Sequence, residues 1–326
     1  MKAKFAVYLL LVALLVSACS PAQEAPAEAV TVRVMAMKGP TGMGMAYLMD
    51  QAEKQAGTNA YECSLVPTAD LITPKLAQGE VDIAAVPANL ASVLYNNTDK
   101  SVQVIAINTL GVLYIVESGE SVHSVEDLRG KTIYSSGKGT TPEYTLNYIL
   151  RSNGIDPQKD VTIEWKTEQT ENLTALMSKE NTIALLPEPF VTIAQEKSDQ
   201  IRVAFGLNEE WEKIQADEKE PSAMVTGVVI VRRAFAEENP DAVHAFLKDY
   251  KASIEYVNTN VDEGAKLIGK YEIVTEDIAK KAIPACNITF VEGDELKQTL
   301  SGYLSVLLEE NPAAVGGALP EDDFYY

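Results

Sequence analysis

The residues whose types and spacing best suit contact with a ligand run from Ser135 to Thr141, Ser-Ser-Gly-Lys-Gly-Thr-Thr. Gly137 and Gly139 give the backbone angles that other residues avoid. Thr141 is a good N-cap, Pro142 suits the first helical position, and Glu143 complements the positive end of the helix dipole. Free N–H groups at a helix start, beside hydroxyls and Lys138, would receive an anion or a polar ligand atom. The same residues also read as an ordinary capped helix after a flexible turn. Both readings are non-catalytic. No Ser-His-Asp or Cys-His arrangement stands out. The two histidines, His123 and His244, lie far apart, and no Cys or His cluster has metal-ligand spacing. The expectation is therefore a site without catalytic residues, metal or cofactor.

A second glycine-rich stretch, Gly39-Pro-Thr-Gly-Met-Gly44, excludes two nucleotide motifs. Met45 and Ala46 stand where a phosphate loop needs Lys and Ser or Thr. Tyr47 follows Gly42-Met43-Gly44 where a dinucleotide fingerprint needs Gly or Ala.

These loops need elements to hold them. β-prone runs over 30–37, 61–66, 81–86 and 102–108 alternate with helical patterns over 45–55, 68–77 and 87–95. Short connections in a βαβαβαβ order are the signature of a parallel α/β sheet. A second such set follows, with strands over 112–116, 131–134, 161–165, 182–186 and 201–205. Leu146, Ile149 and Leu150 stripe the helix after the Ser135–Thr141 loop, and Gly154 stops it. After an apolar strand over 225–231 the pattern is helical only. The chain thus reads as two α/β lobes with a helical C-terminal part.

The N-terminus reads as an export signal. Lys2 and Lys4 precede a nearly unbroken apolar run from Phe5 to Val16, too short for a secure membrane span. Val16-Ser17-Ala18-Cys19 resembles a bacterial lipobox. Residues 1–18 are then a signal peptide, Cys19 is lipidated, and 19–29 form a Pro, Ala and Glu-rich tether. Formal net charge is −20, from 27 basic and 47 acidic residues among 326. That argues against nucleic acid and against electrostatic adhesion to anionic lipid. Cys63 and Cys286 remain, and spacing leaves open whether they pair.

The motifs resemble one family. Leu76-Ala-Gln-Gly-Glu-Val-Asp82-Ile-Ala84 resembles its helix and "G-x-x-D" strand at the cleft. Asp127-Leu-Arg-Gly-Lys-Thr-Ile133 resembles its "DL-x-GK-x-I" approach to the second lobe. Leu186-Pro-Glu-Pro-Phe190 resembles its "EP" corner. The chain is similar to ABC-transporter substrate-binding proteins of the sulfonate, taurine and nitrate group and of the thiamine-pyrimidine-precursor (NMT1/THI5-like) group.

The resemblance implies an α/β, two-lobed, periplasmic-binding-protein-like (type II) fold. It would have two mostly parallel sheets, flanking helices and two hinge crossovers, near 113–116 and 225–230. Lobe one would hold 30–110 plus 229–326, and lobe two 111–228. A small solute, such as a sulfonate, a pyrimidine or another polar or heterocyclic compound, would bind between them. An ABC permease and its ATPase would be the partners, and a lipid anchor would hold the chain on the extracytoplasmic face of the cell membrane. Site residues carried over are Gly39, Pro40, Thr41 and Met43 after the first strand, and Pro87 and Asn89 after the third. Asn108 and Thr109 follow after the fourth, with Ser136, Gly137, Lys138, Gly139, Thr140, Thr141 and Glu188 from lobe two. A carboxylate at 188 reads equally as a helix cap. The Gly39–Met45 loop lacks the arginine of a guanidinium sulfonate clamp. Two alternatives share the fold, a thiamine- or menaquinone-precursor enzyme and a lipoprotein sensor.

Overall fold

The structure, a computed structural model, describes residues 30–57, 59–219 and 221–326. The signal, lipidation and tether expectations at 1–29 lie outside these residues. The chain begins with β1 (Thr31–Met37), one helical turn α1 (Pro40–Met43), α2 (Ala46–Glu53), β2 (Ala60–Val66) and α3 (Thr73–Ala77). It continues with β3 (Ile83–Pro87), α4 (Ala88–Asn97) and β4 (Val102–Leu110). A second group comprises β5 (Leu113–Ser118), β6 (Thr132–Ser136), α5 (Thr141–Ser152), β7 (Thr162–Lys166) and α6 (Gln169–Ser178). It closes with β8 (Thr182–Pro187), α7 (Phe190–Lys197), β9 (Ile201–Gly206) and α8 (Leu207–Gln215). The chain then returns through β10 (Val225–Arg232), α9 (Arg233–Glu238), α10 (Pro240–Thr259), α11 (Val261–Lys270), α12 (Glu276–Ala282), β11 (Ile288–Val291) and α13 (Gly293–Glu310).

Two sheets result, in the orders β11-β4-β10-β3-β1-β2 and β7-β6-β8-β5-β9. Most strands of each sheet point the same way, as expected, four of six in the first and four of five in the second. β10 runs antiparallel to both β3 and β4, and β5 to both β8 and β9. These are the strands on which the chain arrives from the other sheet. It enters at the edge where the preceding sheet's strands ended, so it must run back against its new neighbours.

The crossings also differ from expectation. Leu113–Ser118 pairs with β8 from its first residue, and Val225–Arg232 lies in the first sheet throughout. The links are Gly111–Val112 and the stretch between Gly206 and Val225. The apolar β-branched runs expected at the hinges instead fill buried ladders. With two residues separating Leu110 from Leu113, the C-terminal edges of the two sheets abut.

Several short elements escaped sequence reading, among them α9. Pro40–Met43 is a helical turn inside the glycine-rich loop. Ile288–Val291 is an edge strand on β4, four residues long with shifted register, too short to show a period of two among helices.

The core spans both sheets. In α13 the residues Leu296, Leu300, Tyr303, Leu304 and Leu307 recur at helical spacing and are buried. Tyr303 meets Trp211 of α8, with ring centroids 5.3 Å apart, and the same apolar cluster includes Leu146, Ile149 and Leu150 of α5. Burying an aromatic of that size contributes about 2–3 kcal/mol. Asn311-Pro312 ends the helix. Cys63 and Cys286 are both free thiols. Burial pushes the Cys63 thiol up to about 12. Among the described residues no helix is long and apolar enough to cross a membrane.

Candidate functional site

The abutting edges bring most of the candidate residues together. On the second sheet, β6 ends at Ser136, which is buried, and the chain turns through Gly137 and Gly139, both at φ +79°. A Cβ at 137 would meet Thr140 Oγ1 at 2.8 Å, so glycine is required there. Thr140, one residue earlier than expected, is the N-cap of α5. Its hydroxyl donates to the Gly137 carbonyl at 2.6 Å, and its N–H donates to the same oxygen at 3.0 Å. The Gly139 N–H donates to Glu143 Oε2 at 2.6 Å. The Gly139 and Thr140 donors of this turn are thus taken within it, Glu143 reaching back much as in a capping box. Lys138 is exposed on this turn.

Thr141 is buried, and its hydroxyl donates to Asn89 Oδ1 across the divide at 3.3 Å. Asn89, at the start of α4, donates through Nδ2 to the Ala314 carbonyl at 3.1 Å and, more weakly, to the Gly139 carbonyl at 3.5 Å. Its side chain ties the two sheets together. Further cross-sheet ties run from Thr145 to Tyr303, from Arg151 to Glu310, and from Lys281 to Glu196.

On the first sheet, Thr41, Asn108 and Thr109 converge on Gly227 of β10. A Cβ there would lie 2.6 Å from Asn108 Oδ1, 2.9 Å from Thr41 Cγ2 and 3.3 Å from Thr109 Cβ. This close approach explains a glycine within Val-Thr-Gly-Val-Val-Ile-Val. Asn108 Nδ2 donates to the Tyr250 hydroxyl at 3.0 Å, while Thr109 Oγ1 donates to Asn108 Oδ1 at 3.2 Å. Thr41 Oγ1 donates to the Met37 carbonyl at 3.0 Å. Gly39 is buried with φ +114°, and Pro40 and Pro87 are half-buried on the same edge. Met43 differs: it is fully buried in the core, its sulfur 3.9 Å from the Cys286 thiol.

Glu188 follows β8 and is 5 % exposed. Its Oε2 accepts from the Thr192 N–H at 3.2 Å and hydroxyl at 2.9 Å, capping α7. Its own N–H donates to the Val112 carbonyl at 3.0 Å, at the first crossing. Burial raises its carboxyl above the usual range, partly opposed by Thr192. Tyr114 and Cys286 lie within its field. The Tyr114 hydroxyl is pushed up to about 12 by burial and by Glu188, and the Cys286 thiol is raised by the same causes. Sequence reading missed both, since Tyr114 sits in an apolar strand and Cys286 read as a core residue. It also missed Thr226, whose buried Oγ1 finds no hydrogen-bond partner among the described residues.

The "G-x-x-D" aspartate sits elsewhere. Asp82 precedes β3, at the edge away from Pro87. It accepts from Arg33 Nε at 2.8 Å and Nη2 at 2.6 Å, and from Arg232 Nη2 at 3.0 Å. Burial raises its carboxyl, but the arginines outweigh that and hold it below the usual range.

The NMT1/THI5-like family model matches residues 100–263, a little over half of the chain. The chain belongs to the NMT1/THI5-like family. Solved structures agree on the fold. An ABC transporter structure from Parabacteroides distasonis is 22% identical, with a TM-score of 0.75, covering 91% of this chain and 99% of that one. The periplasmic aliphatic sulphonate binding protein SsuA from Escherichia coli is 14% identical, with a TM-score of 0.70, covering 89% and 92%. A Candida albicans protein described as having the generic periplasmic binding protein fold is 15% identical, with a TM-score of 0.60, covering 90% and 92%. No curated protein matches the chain. This family member therefore has the two-sheet, periplasmic-binding-protein-like α/β fold expected from its motifs.

Proposed function

We propose that this protein is an extracytoplasmic solute-binding lipoprotein that captures a small molecule between two lobes and delivers it to an ABC permease and its ATPase. One observation carries the reading. Asn89 bonds Thr141 across the divide, while Asn108 and Thr109 on one side and Glu188 on the other stand at strand ends next to the Gly111–Val112 link, the chain crossing back before Val225. That suits a hinge and a cleft, in which a ligand drives closure by binding the closed form more tightly than the open one. The lobes would be 30–110 plus the segment from about 225 onward, and 111 to about 224.

The reading is of binding without chemistry. The Tyr114 hydroxyl and Cys286 thiol are held protonated at neutral pH, so neither is a ready nucleophile. Lipidation at Cys19 rests on the small residues before a cysteine at the end of an apolar run.

A thermal-shift screen of the full chain tests the function, with each solute recovered and weighed by mass spectrometry. A bound solute returned unchanged, with stabilisation growing as RT ln(1 + [L]/Kd), is the expected result. A solute consumed and converted would replace this reading with that of an enzyme. Mass analysis of the N-terminal peptide tests the anchor, since an unmodified Met1 terminus would exclude it.

A further inference from the structure

Resting on the solute-binding reading, we infer that the cleft takes a nitrogenous solute that donates N–H groups to Glu188, and does not take a sulfonate, nitrate or other anion. Three independent observations point this way.

First, Glu188 is a buried carboxylate with only half its capacity used. Oε2 is occupied by Thr192, while Oε1 accepts no hydrogen bond from the described residues. No cationic side chain of the described residues pairs with it. A buried anion without a cation is unfavourable, and a ligand ammonium, amidinium or ring N–H would relieve it through a charge-assisted hydrogen bond. Burial of an anionic ligand beside the same oxygen would add repulsion in a low-dielectric site.

Second, two N–H groups of the turn that could have received an anion are already taken. The Glu143 carboxylate takes the Gly139 N–H, and the Gly137 carbonyl takes the Thr140 N–H. Those two N–H groups are therefore not free to receive an anion.

Third, every arginine of the chain is committed to an acid. Arg33 and Arg232 hold Asp82, Arg129 holds Asp160, Arg151 holds Glu310, Arg202 holds Glu117, and Arg233 holds Asp323. None is left to form the bidentate clamp that planar or tetrahedral anions favour. Lys138, exposed on the turn, is the one cation of that loop.

The test is isothermal calorimetry and thermal shift on the full chain, with putrescine, 2-aminopyridine and cytosine against ethanesulfonate and nitrate. The expected result is binding of at least one N–H donor and of neither anion. Glu188→Gln, which keeps an oxygen for Thr192, then weakens that binding about tenfold or more. Wild-type selectivity is read independently, so the inference is testable even if the variant folds poorly. Binding of ethanesulfonate or nitrate, lost in Lys138→Ala and unchanged in Glu188→Gln, would overturn the inference while leaving solute binding intact. Failure of every probe, and of a broad solute library besides, would overturn both.

Discussion

Gly227→Ala is the substitution whose effect the geometry specifies most fully. The new methyl carbon would lie 2.6 Å from Asn108 Oδ1 and 2.9 Å from Thr41 Cγ2, well inside contact distance. Neither neighbour gives way freely. Asn108 is fully buried, with its amide bonded to Tyr250 and its oxygen to Thr109. Thr41 is tied to the Met37 carbonyl. β10 is also irregular in register on both sides of Gly227, so the strand is already at its limit of close approach. Overpacking of this kind costs about 1–3 kcal/mol, and displacing Asn108 forfeits about 1 kcal/mol more per hydrogen bond lost. A total of about 2–4 kcal/mol corresponds to a fall in melting temperature of about 3–6 °C in a chain of this size. Differential scanning calorimetry would read it. A double-mutant cycle with Asn108→Ala isolates the contact, because the methyl costs less once the oxygen is gone. A melting temperature that stays at the wild-type value, or no coupling to position 108, would refute the packing argument for why this edge carries a glycine.

Other expectations follow from the same contacts. Asp82→Ala strands two guanidinium groups against a buried site and should destabilise by about 2–4 kcal/mol, measured by urea unfolding. The Asp82 and Glu117 carboxyls are both held below the usual range. Their stabilisation is therefore complete above the unfolded-state value of about 4 and is lost as pH falls through the lower folded-state values. Melting temperature should drop between about pH 5 and about pH 3, and the drop should be smaller in Asp82→Asn. By contrast, Lys281→Ala removes an ion pair whose two side chains are 55% and 46% exposed, so it should shift stability by under about 1 kcal/mol. Cys286 is fully buried with a raised thiol, so iodoacetamide at mildly alkaline pH should leave it unmodified in the folded chain and label it after unfolding. Labelling at the rate of a free thiol would contradict its placement.

Much of the fold was legible because its signals are local. Helix α5 shows it plainly: Pro142, Glu143, the Leu146–Leu150 stripe and Gly154 specify start, face and end without reference to the rest of the chain. The boundary shifted by a single residue, since Thr140 rather than Thr141 caps it. The family was legible for a related reason, through short motifs at turns and strand ends. β11 was not legible, because four residues carry no periodicity and become a strand only when β4 offers an edge. The reversed direction of β5 and β10 was hidden for the same reason. Strand direction depends on where the chain re-enters a sheet, and that is a property of the crossings.

The site divides along this line. Composition and spacing alone established the excluded chemistries: no phosphate loop, no dinucleotide fingerprint, no nucleophile triad and no metal-ligand spacing. They also marked Ser136–Thr141 and Glu188 as residues at strand ends. Only the tertiary structure decided what those residues do. Glu143 occupies the turn's Gly139 N–H, Asn89 binds across to Thr141, Met43 withdraws into the core beside Cys286, and Asp82 locks two arginines at the far edge. Hydrogen bonds and ion pairs form between groups distant in sequence, and each donor satisfied in one place is unavailable in another. The pattern of residues sets which partners exist, and the folded geometry sets which of them meet.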